Sequence, residues 1–224
     1  MNLPSTHPPA TVPIDPPRGL AAALREGTSA AHRDAERGNF VHSLIRGQLA
    51  RSTYLDYLRG LHTIYTALES GLERHAEHPL VGPFLRPELL RAPALARDLA
   101  HLAASADAPP AAALTYAEHL RDLAEHDPPL LLAHVYTRYL GDLSGGQLLR
   151  RGAARTLGLT DPRPGAAGLE FYDFPRIPDL DAYKRGFRSG LDQLPLRPDQ
   201  AAMIVHEARR AFADTAALFA ALTP

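Results

Sequence analysis

The chain has 224 residues, 45% of them hydrophobic, which is enough to bury a full core in one domain. Its 24 basic and 25 acidic residues leave a formal charge of −1, which gives no support for nucleic-acid binding driven by bulk charge. It has no cysteine, so disulfides, thiolate nucleophiles, iron–sulfur clusters and thiolate-ligated metals are excluded.

The first 19 residues differ in composition from the rest of the chain. Residues 1–18 hold six prolines and no sustained apolar run, which predicts a flexible proline-rich tail rather than a secretory signal. No window approaches the ~20 apolar residues that a membrane-spanning helix needs. We therefore expect a single domain over residues 20–224, in a cytoplasmic protein with no membrane anchor.

Apolar residues recur every three or four positions in most of this domain, as they do in amphipathic helices. In the long third helix, Leu61 and Ile64 follow this spacing, Tyr65 is interpreted as aromatic core, and Ser52 or Thr53 is the expected cap. Helices are predicted at about 20–36, 40–46, 53–77, 94–103, 110–125, 130–157, 179 onward, and 198–222. The pattern predicts an all-α fold of about eight helices with no strand.

Three chemically useful side chains share one face of the first helix. Arg25, His32 and Glu36 fall on nearly one line, because four residues make about one turn and seven make about two. Glu36 is placed to orient the His32 ring through a hydrogen bond, as an outer partner does for a metal-ligating histidine. A surface or capping role for His32 stays open at this point.

Three glycines interrupt the helix predicted at 130–157, namely Gly141, Gly145 and Gly146. Each costs about 1 kcal/mol relative to alanine in a helix interior. They have two interpretations: a kink that lets other helices pack, or a bare backbone face that lets a flat ligand approach closely. Gly141 and Gly145 lie one turn apart on one face, and Asp142 is at its edge, an arrangement that suits a large planar partner.

The remaining candidate residues are weaker signals. Lys184 and Arg188 lie one turn apart on the seventh helix, either as a solvated basic face or as partners for anionic groups of a ligand. Four histidines are interpreted as surface residues. His75 and His78 have no further ligand type close by, and His119 and His126 lie on a helix that Asp127-Pro128-Pro129 ends. Nucleotide-binding glycine motifs are absent, so any redox chemistry must draw electrons from another protein.

Several stretches resemble one known family, the haem oxygenases. Tyr136–Gln147 reads Y-T-R-Y-L-G-D-L-S-G-G-Q and strongly resembles the distal-helix signature of that family. Leu24–Glu36 resembles the proximal helix, and Ile64–Glu69 and Tyr183–Ser189 also align in order and spacing. The likeness covers the chain from about Leu20 to its C-terminus.

The resemblance implies that haem b is both cofactor and substrate. His32 would be the axial ligand to the iron, with Glu36 holding the far ring nitrogen, and Gly141 and Gly145 would lie against the other haem face. Asp142 would organise water beside bound dioxygen. The other implied site residues are Tyr65 and Arg138, in the distal hydrogen-bond network, and Arg25, Tyr136, Lys184 and Arg188, at the haem propionates.

The resemblance also implies the reaction. Haem would be opened at a meso carbon to biliverdin, with release of ferrous iron and carbon monoxide, using dioxygen and electrons from a reductase or ferredoxin-type protein. A haem carrier or sensor without turnover is the alternative, since it would share His32 and the glycine face. A di-iron helical bundle is excluded, because no Glu-x-x-His motif occurs in the chain.

Overall fold

A computed structural model describes residues 19–102, 107–160 and 162–223. The proline-rich tail predicted for residues 1–19 falls almost wholly outside the described residues. The described part contains these α-helices: α1 Leu20–Glu36, α2 Asn39–Arg46, α3 Arg51–Arg74, α4 Ala92–Leu102, α5 Ala111–His126, α6 Leu131–Thr156, α7 Leu180–Asp192 and α8 Pro198–Ala221. No strand occurs in these ranges, so the prediction of an all-α fold with about eight helices is confirmed.

Helices α3 and α6 form the centre of the domain. On the predicted apolar face of α3, the side chains of Leu58, Leu61 and Ile64 are completely buried. This helix packs against α4, α5 and α6. Burying each of these side chains contributes about 1.5–3 kcal/mol relative to exposure. Because α6 also buries Leu131 and Val135 completely, this packing fixes the position of the glycines that follow on the same helix.

Helix α1 packs against both α7 and α8. The backbone N–H of Ala21 donates to Oδ1 of Asp192 at the end of α7, over 2.8 Å. On the α8 side the approach is close at Gly27, where a β-carbon would lie 2.4 Å from Cγ1 of Val205. Since α6 also packs against α7 and α8, these two helices hold α1 and α6 together. Among the helices of the described ranges, none combines the length and the hydropathy of a membrane-spanning segment.

The start of α3 departs from the prediction. Neither Ser52 nor Thr53 caps this helix. Its N-cap is Ala50, which makes no side-chain hydrogen bond, and whose carbonyl oxygen accepts from the backbone N–H of Tyr54 over 3.0 Å. The helix therefore begins one or two residues before the expected caps.

Three histidines interpreted as surface residues are instead partly buried and hydrogen-bonded. Nε2 of His75 lies 2.6 Å from the carbonyl oxygen of Ala124, and Nδ1 of His78 accepts from the backbone N–H of Leu80 over 3.2 Å. These rings satisfy backbone groups where the chain leaves α3. His119 lies in a largely buried cluster taken up below, whereas His126 is exposed as predicted.

Candidate functional site

Gly141 and Gly145 of α6 face open space. The helix runs from Leu131 to Thr156 despite them, and a β-carbon built at Gly141, Gly145 or Gly146 meets no atom within 4 Å. Gly152 differs, because its β-carbon would lie 1.9 Å from the carbonyl oxygen of Leu44. Gly152 is therefore a packing glycine, whereas no described neighbour fills the space beside the other three. This observation favours a bare backbone face over a packing site.

Asp142 lies at the edge of this face and is held by α3. Its Oδ2 accepts a hydrogen bond from the Tyr65 hydroxyl. Arg138, one turn earlier on α6, places its guanidinium carbon 5.5 Å from the centre of the Tyr65 ring and donates to Oγ1 of Thr215 on α8 over 3.3 Å. The structure thus brings Tyr65, Arg138 and Asp142 together beside the glycine face.

The carboxyl of Asp142 is tuned by its surroundings. Burial raises its pKa, while Arg138, the hydrogen bond from Tyr65 and Arg91 lower it, and the net result is a pKa of about 6. A carboxyl with such a pKa can take up and release a proton near neutral pH. Burial also raises the pKa of Tyr65 well above its ordinary value, so this hydroxyl stays protonated and acts as a donor.

A buried carboxyl next to this network, that of Glu69, was not predicted as a site residue. It accepts from the backbone N–H of Arg91 over 2.5 Å and from the Tyr139 hydroxyl over 3.4 Å. Burial raises its pKa to about 7. The Tyr139 and Tyr65 ring centres are 6.0 Å apart. The available sequence signal was the position of Glu69 four residues after Tyr65, on the same face of α3.

A basic edge lies where α1, α6 and α7 meet. Tyr136 is half-buried, which raises the pKa of its hydroxyl, and the charges of Arg188 and Arg25 act in the opposite direction. Both guanidinium groups are therefore close enough to act on the Tyr136 hydroxyl, and both residues are exposed. Lys184, one turn before Arg188, pairs with Oδ1 of Asp181 over 2.8 Å. Such a cluster can bind a ligand that carries carboxylates.

His32 lies on α1 and is exposed. Its ring meets the Phe212 ring of α8 edge to face, with 6.0 Å between the ring centres. An exposed imidazole on a helix held by α7 and α8 is accessible to a ligand. Glu36 is the last residue of α1, but its side chain is outside the described part of the structure, so its hydrogen bond to His32 stays a prediction.

The chain is similar in sequence to proteins of one known family over most of its length. The family model described as heme oxygenase matches residues 18–221. A heme oxygenase of Guillardia theta is 39% identical over 197 residues, which cover 86% of this chain and 81% of that protein. Heme oxygenase 1 of Homo sapiens is 37% identical over 205 residues, which cover 89% of this chain and 70% of that protein.

Solved structures extend the similarity to the fold. Heme oxygenase-1 from the cyanobacterium Synechocystis, in complex with heme, has a TM-score of 0.84 at 36% identity, covering 91% of each chain. Heme oxygenase from Leptospira interrogans has a TM-score of 0.83 at 37% identity, covering 90% of this chain and 98% of that one. Matched over almost all its length in sequence and in fold, the chain belongs to the haem oxygenase family.

Proposed function

We propose that the protein is a haem-degrading monooxygenase that opens haem b at a meso carbon to biliverdin, releasing ferrous iron and carbon monoxide. The observation that carries this proposal is the open glycine face of α6 with the partly buried Asp142 carboxyl at its edge. A relative that is 36% identical has been solved in complex with heme, which supports the choice of ligand.

The residues present fit a haem. At Gly141 and Gly145 no side chain stands between the helix backbone and a flat macrocycle, and the space beside them is open. His32 offers an accessible imidazole as the axial ligand, and Glu36 is its proposed hydrogen-bond partner. The two propionates of haem match the cations of the basic edge, namely Arg25, Lys184 and Arg188, with the Tyr136 hydroxyl as a further donor.

Bound haem supplies an iron that activates dioxygen and a macrocycle that is itself the substrate. The chain supplies the proton chemistry around it. Asp142 holds or releases a proton at the glycine face, because its pKa of about 6 lies close to neutral pH. Tyr65 fixes the orientation of that carboxyl through its hydrogen bond. Arg138 keeps a positive charge beside both groups, and its Nε has no hydrogen-bond partner among the described residues.

The electrons come from outside the chain in this proposal. No nucleotide-binding motif occurs in the sequence, so an external protein of the reductase or ferredoxin type is the proposed donor, and dioxygen is the proposed co-substrate. A cytoplasmic location, where such donors are available, completes the proposal.

A haem carrier or sensor is the competing function. It would bind haem without degrading it, so a measurement of haem degradation distinguishes it from the proposed enzyme. Purified protein is mixed with hemin, dioxygen and ascorbate, and its absorption spectrum is followed over time. We expect the haem band to disappear and a pigment with the mass of biliverdin to accumulate. A haem band that stays intact would favour the carrier. Asp142→Ala is the matched variant, and we expect it to bind hemin at the parental stoichiometry while forming little biliverdin.

A further inference from the structure

Outside the site described above, three metal-ligating side chains from three helices meet inside the domain. His119 of α5, His134 of α6 and Glu207 of α8 each place one ligand atom within 4.8 Å of the other two. Nε2 of His119 lies 2.7 Å, and Nε2 of His134 lies 3.0 Å, from the same carboxylate oxygen, Oε1 of Glu207. His134 is fully buried, and the side chains of His119 and Glu207 are only 11% and 9% exposed.

We propose that this group binds a divalent transition metal ion, with zinc as the best-matched species. Two imidazole nitrogens and one carboxylate oxygen form a donor set that zinc uses when a fourth position is left for water. In a tetrahedral zinc site the ligand atoms lie about 3.3 Å apart. The two separations from Glu207, 2.7 and 3.0 Å, would widen slightly, and the two imidazole nitrogens, which lie within 4.8 Å of each other, would settle at the same spacing. All three ligands come from packed helices, which hold such a geometry firmly.

Two carboxylates lie near the group, while the Arg138 guanidinium acts on Tyr116 beside it. Asp214, two turns after Glu207 on α8, acts electrostatically on His134. Its Oδ2 is buried with no hydrogen-bond partner among the described residues, and its ion pair with Nε of Arg210 spans 3.7 Å. Two carboxylates thus lie near the imidazoles, one of them incompletely paired. Buried charges of this kind are stabilised when they are paired or when they coordinate a metal.

Tyr116 is placed to orient the His134 ring as a metal ligand. The Tyr116 hydroxyl lies 2.8 Å from Nδ1 of His134. With both Nε2 protons directed at Glu207, this hydroxyl donates to Nδ1. Metal binding moves the proton of each ring from Nε2 to Nδ1, without net release of protons, and Tyr116 then accepts from His134. Metal-bound histidines generally donate their second N–H to such an outer partner.

Calorimetric titration of the haem-free chain with zinc chloride tests the proposal, with metal analysis of the dialysed product. We expect one zinc per chain, with affinity about tenfold weaker in Tyr116→Phe, in keeping with the loss of an outer partner. His119→Ala and Glu207→Gln should lose the stoichiometric site. The matched controls are His126→Ala and His206→Ala, exposed residues on the same two helices, which should keep it. His32→Ala should also keep it, which excludes binding at the proximal face.

The wild-type chain provides a readout that does not depend on variant folding. In two-dimensional proton–nitrogen spectra of the histidine side chains, zinc should move the N–H signals of His119 and His134 from Nε2 to Nδ1. The proposal is overturned if the wild type retains no stoichiometric zinc, if His119→Ala binds zinc as the wild type does, or if those two rings are unaffected. Each result would leave the group as a hydrogen-bonded triad that joins α5, α6 and α8.

Discussion

The Tyr65 hydroxyl donates a hydrogen bond to Oδ2 of Asp142, and this contact ties α3 to the glycine face of α6. Burial raises the pKa of Asp142, whereas the donated hydrogen bond stabilises the ionised carboxylate and lowers it, and the net pKa is about 6. We predict that Tyr65→Phe raises the pKa of Asp142 above that value. Carboxyl carbon chemical shifts, followed through a pH titration, report this pKa directly.

Tyr139→Phe is the matched control for this experiment. The Tyr139 hydroxyl donates to Glu69 rather than to Asp142. Its loss should raise the pKa of Glu69 and leave the titration of Asp142 close to that of the parent. A pKa of Asp142 that stays the same or falls in Tyr65→Phe would contradict the proposed role of the hydrogen bond.

The open glycine face predicts opposite effects of one substitution on stability and on binding. In Gly145→Ala the new methyl group meets no atom within 4 Å, and alanine is the better helix former. We therefore expect the free energy of unfolding of the haem-free chain to rise by about 1 kcal/mol. The same methyl group occupies space proposed for the macrocycle, so hemin should bind more weakly. Urea unfolding and hemin titration measure the two effects.

Gly152→Ala is the control for the glycine prediction. Its β-carbon would lie 1.9 Å from the carbonyl oxygen of Leu44, so this variant should be destabilised by about 1–3 kcal/mol through overpacking. If Gly145→Ala were as destabilised as Gly152→Ala, the space beside Gly145 would not be open. If it bound hemin as tightly as the parent, the macrocycle would lie elsewhere.

The basic edge predicts that the affinity for haem depends on the positive charges of α1 and α7. Removing Arg188, whose guanidinium acts on Tyr136 together with that of Arg25, should weaken hemin binding by about 3- to 10-fold, as for one exposed charge-assisted hydrogen bond. The loss should shrink as the salt concentration rises. Arg185→Ala, an exposed neighbour on α7, is the control. Equal losses in the two variants would indicate a general charge effect rather than a propionate contact.

Glu69 predicts a specific dependence of stability on pH. Its pKa rises from an ordinary 4.5 to about 7 on burial, so between these values the folded chain holds a proton that the unfolded chain releases. The contribution of Glu69 to stability is therefore complete below pH 4.5. It falls by up to about 3 kcal/mol as the pH rises to 7.

Glu69→Gln cannot titrate, so its free energy of unfolding should decline less than that of the parent over this pH range. Denaturant unfolding at a series of pH values measures the difference. Glu73→Gln, one turn further along α3 and exposed, should follow the parent. Parallel curves for the parent and Glu69→Gln would show that the buried carboxyl does not titrate in this range.

Features that depend on neighbours along the chain could be predicted from the sequence. Helix α1 was predicted at 20–36 and occupies Leu20–Glu36, because helical periodicity acts locally. The shared face of Gly141 and Gly145 was predicted for the same reason. Whether a helix packs against these glycines depends on the placement of other helices, so the choice between a kink and a ligand face required the structure.

Contacts between distant parts of the chain could not be predicted in this way. The hydrogen bond between Tyr139 and Glu69 joins residues 70 positions apart, and that between His119 and Glu207 joins residues 88 positions apart. Periodicity identifies which side of a helix is buried, but it does not identify the partner on the facing helix. His119 was therefore interpreted as a surface residue, although a carboxylate from α8 covers it.

In this proposal, haem lies between the imidazole of His32 and the exposed backbone of Gly141 and Gly145. An anomalous difference map at the iron absorption edge, from crystals grown with hemin, would locate the iron. We expect one iron peak within bonding distance of the His32 ring, with the macrocycle against the α6 glycines. An iron bound to another residue, or a macrocycle in the 560 Å³ cavity between α1, α2 and α8 lined by Ala31, Phe40 and Phe219, would show that haem does not bind between His32 and these glycines.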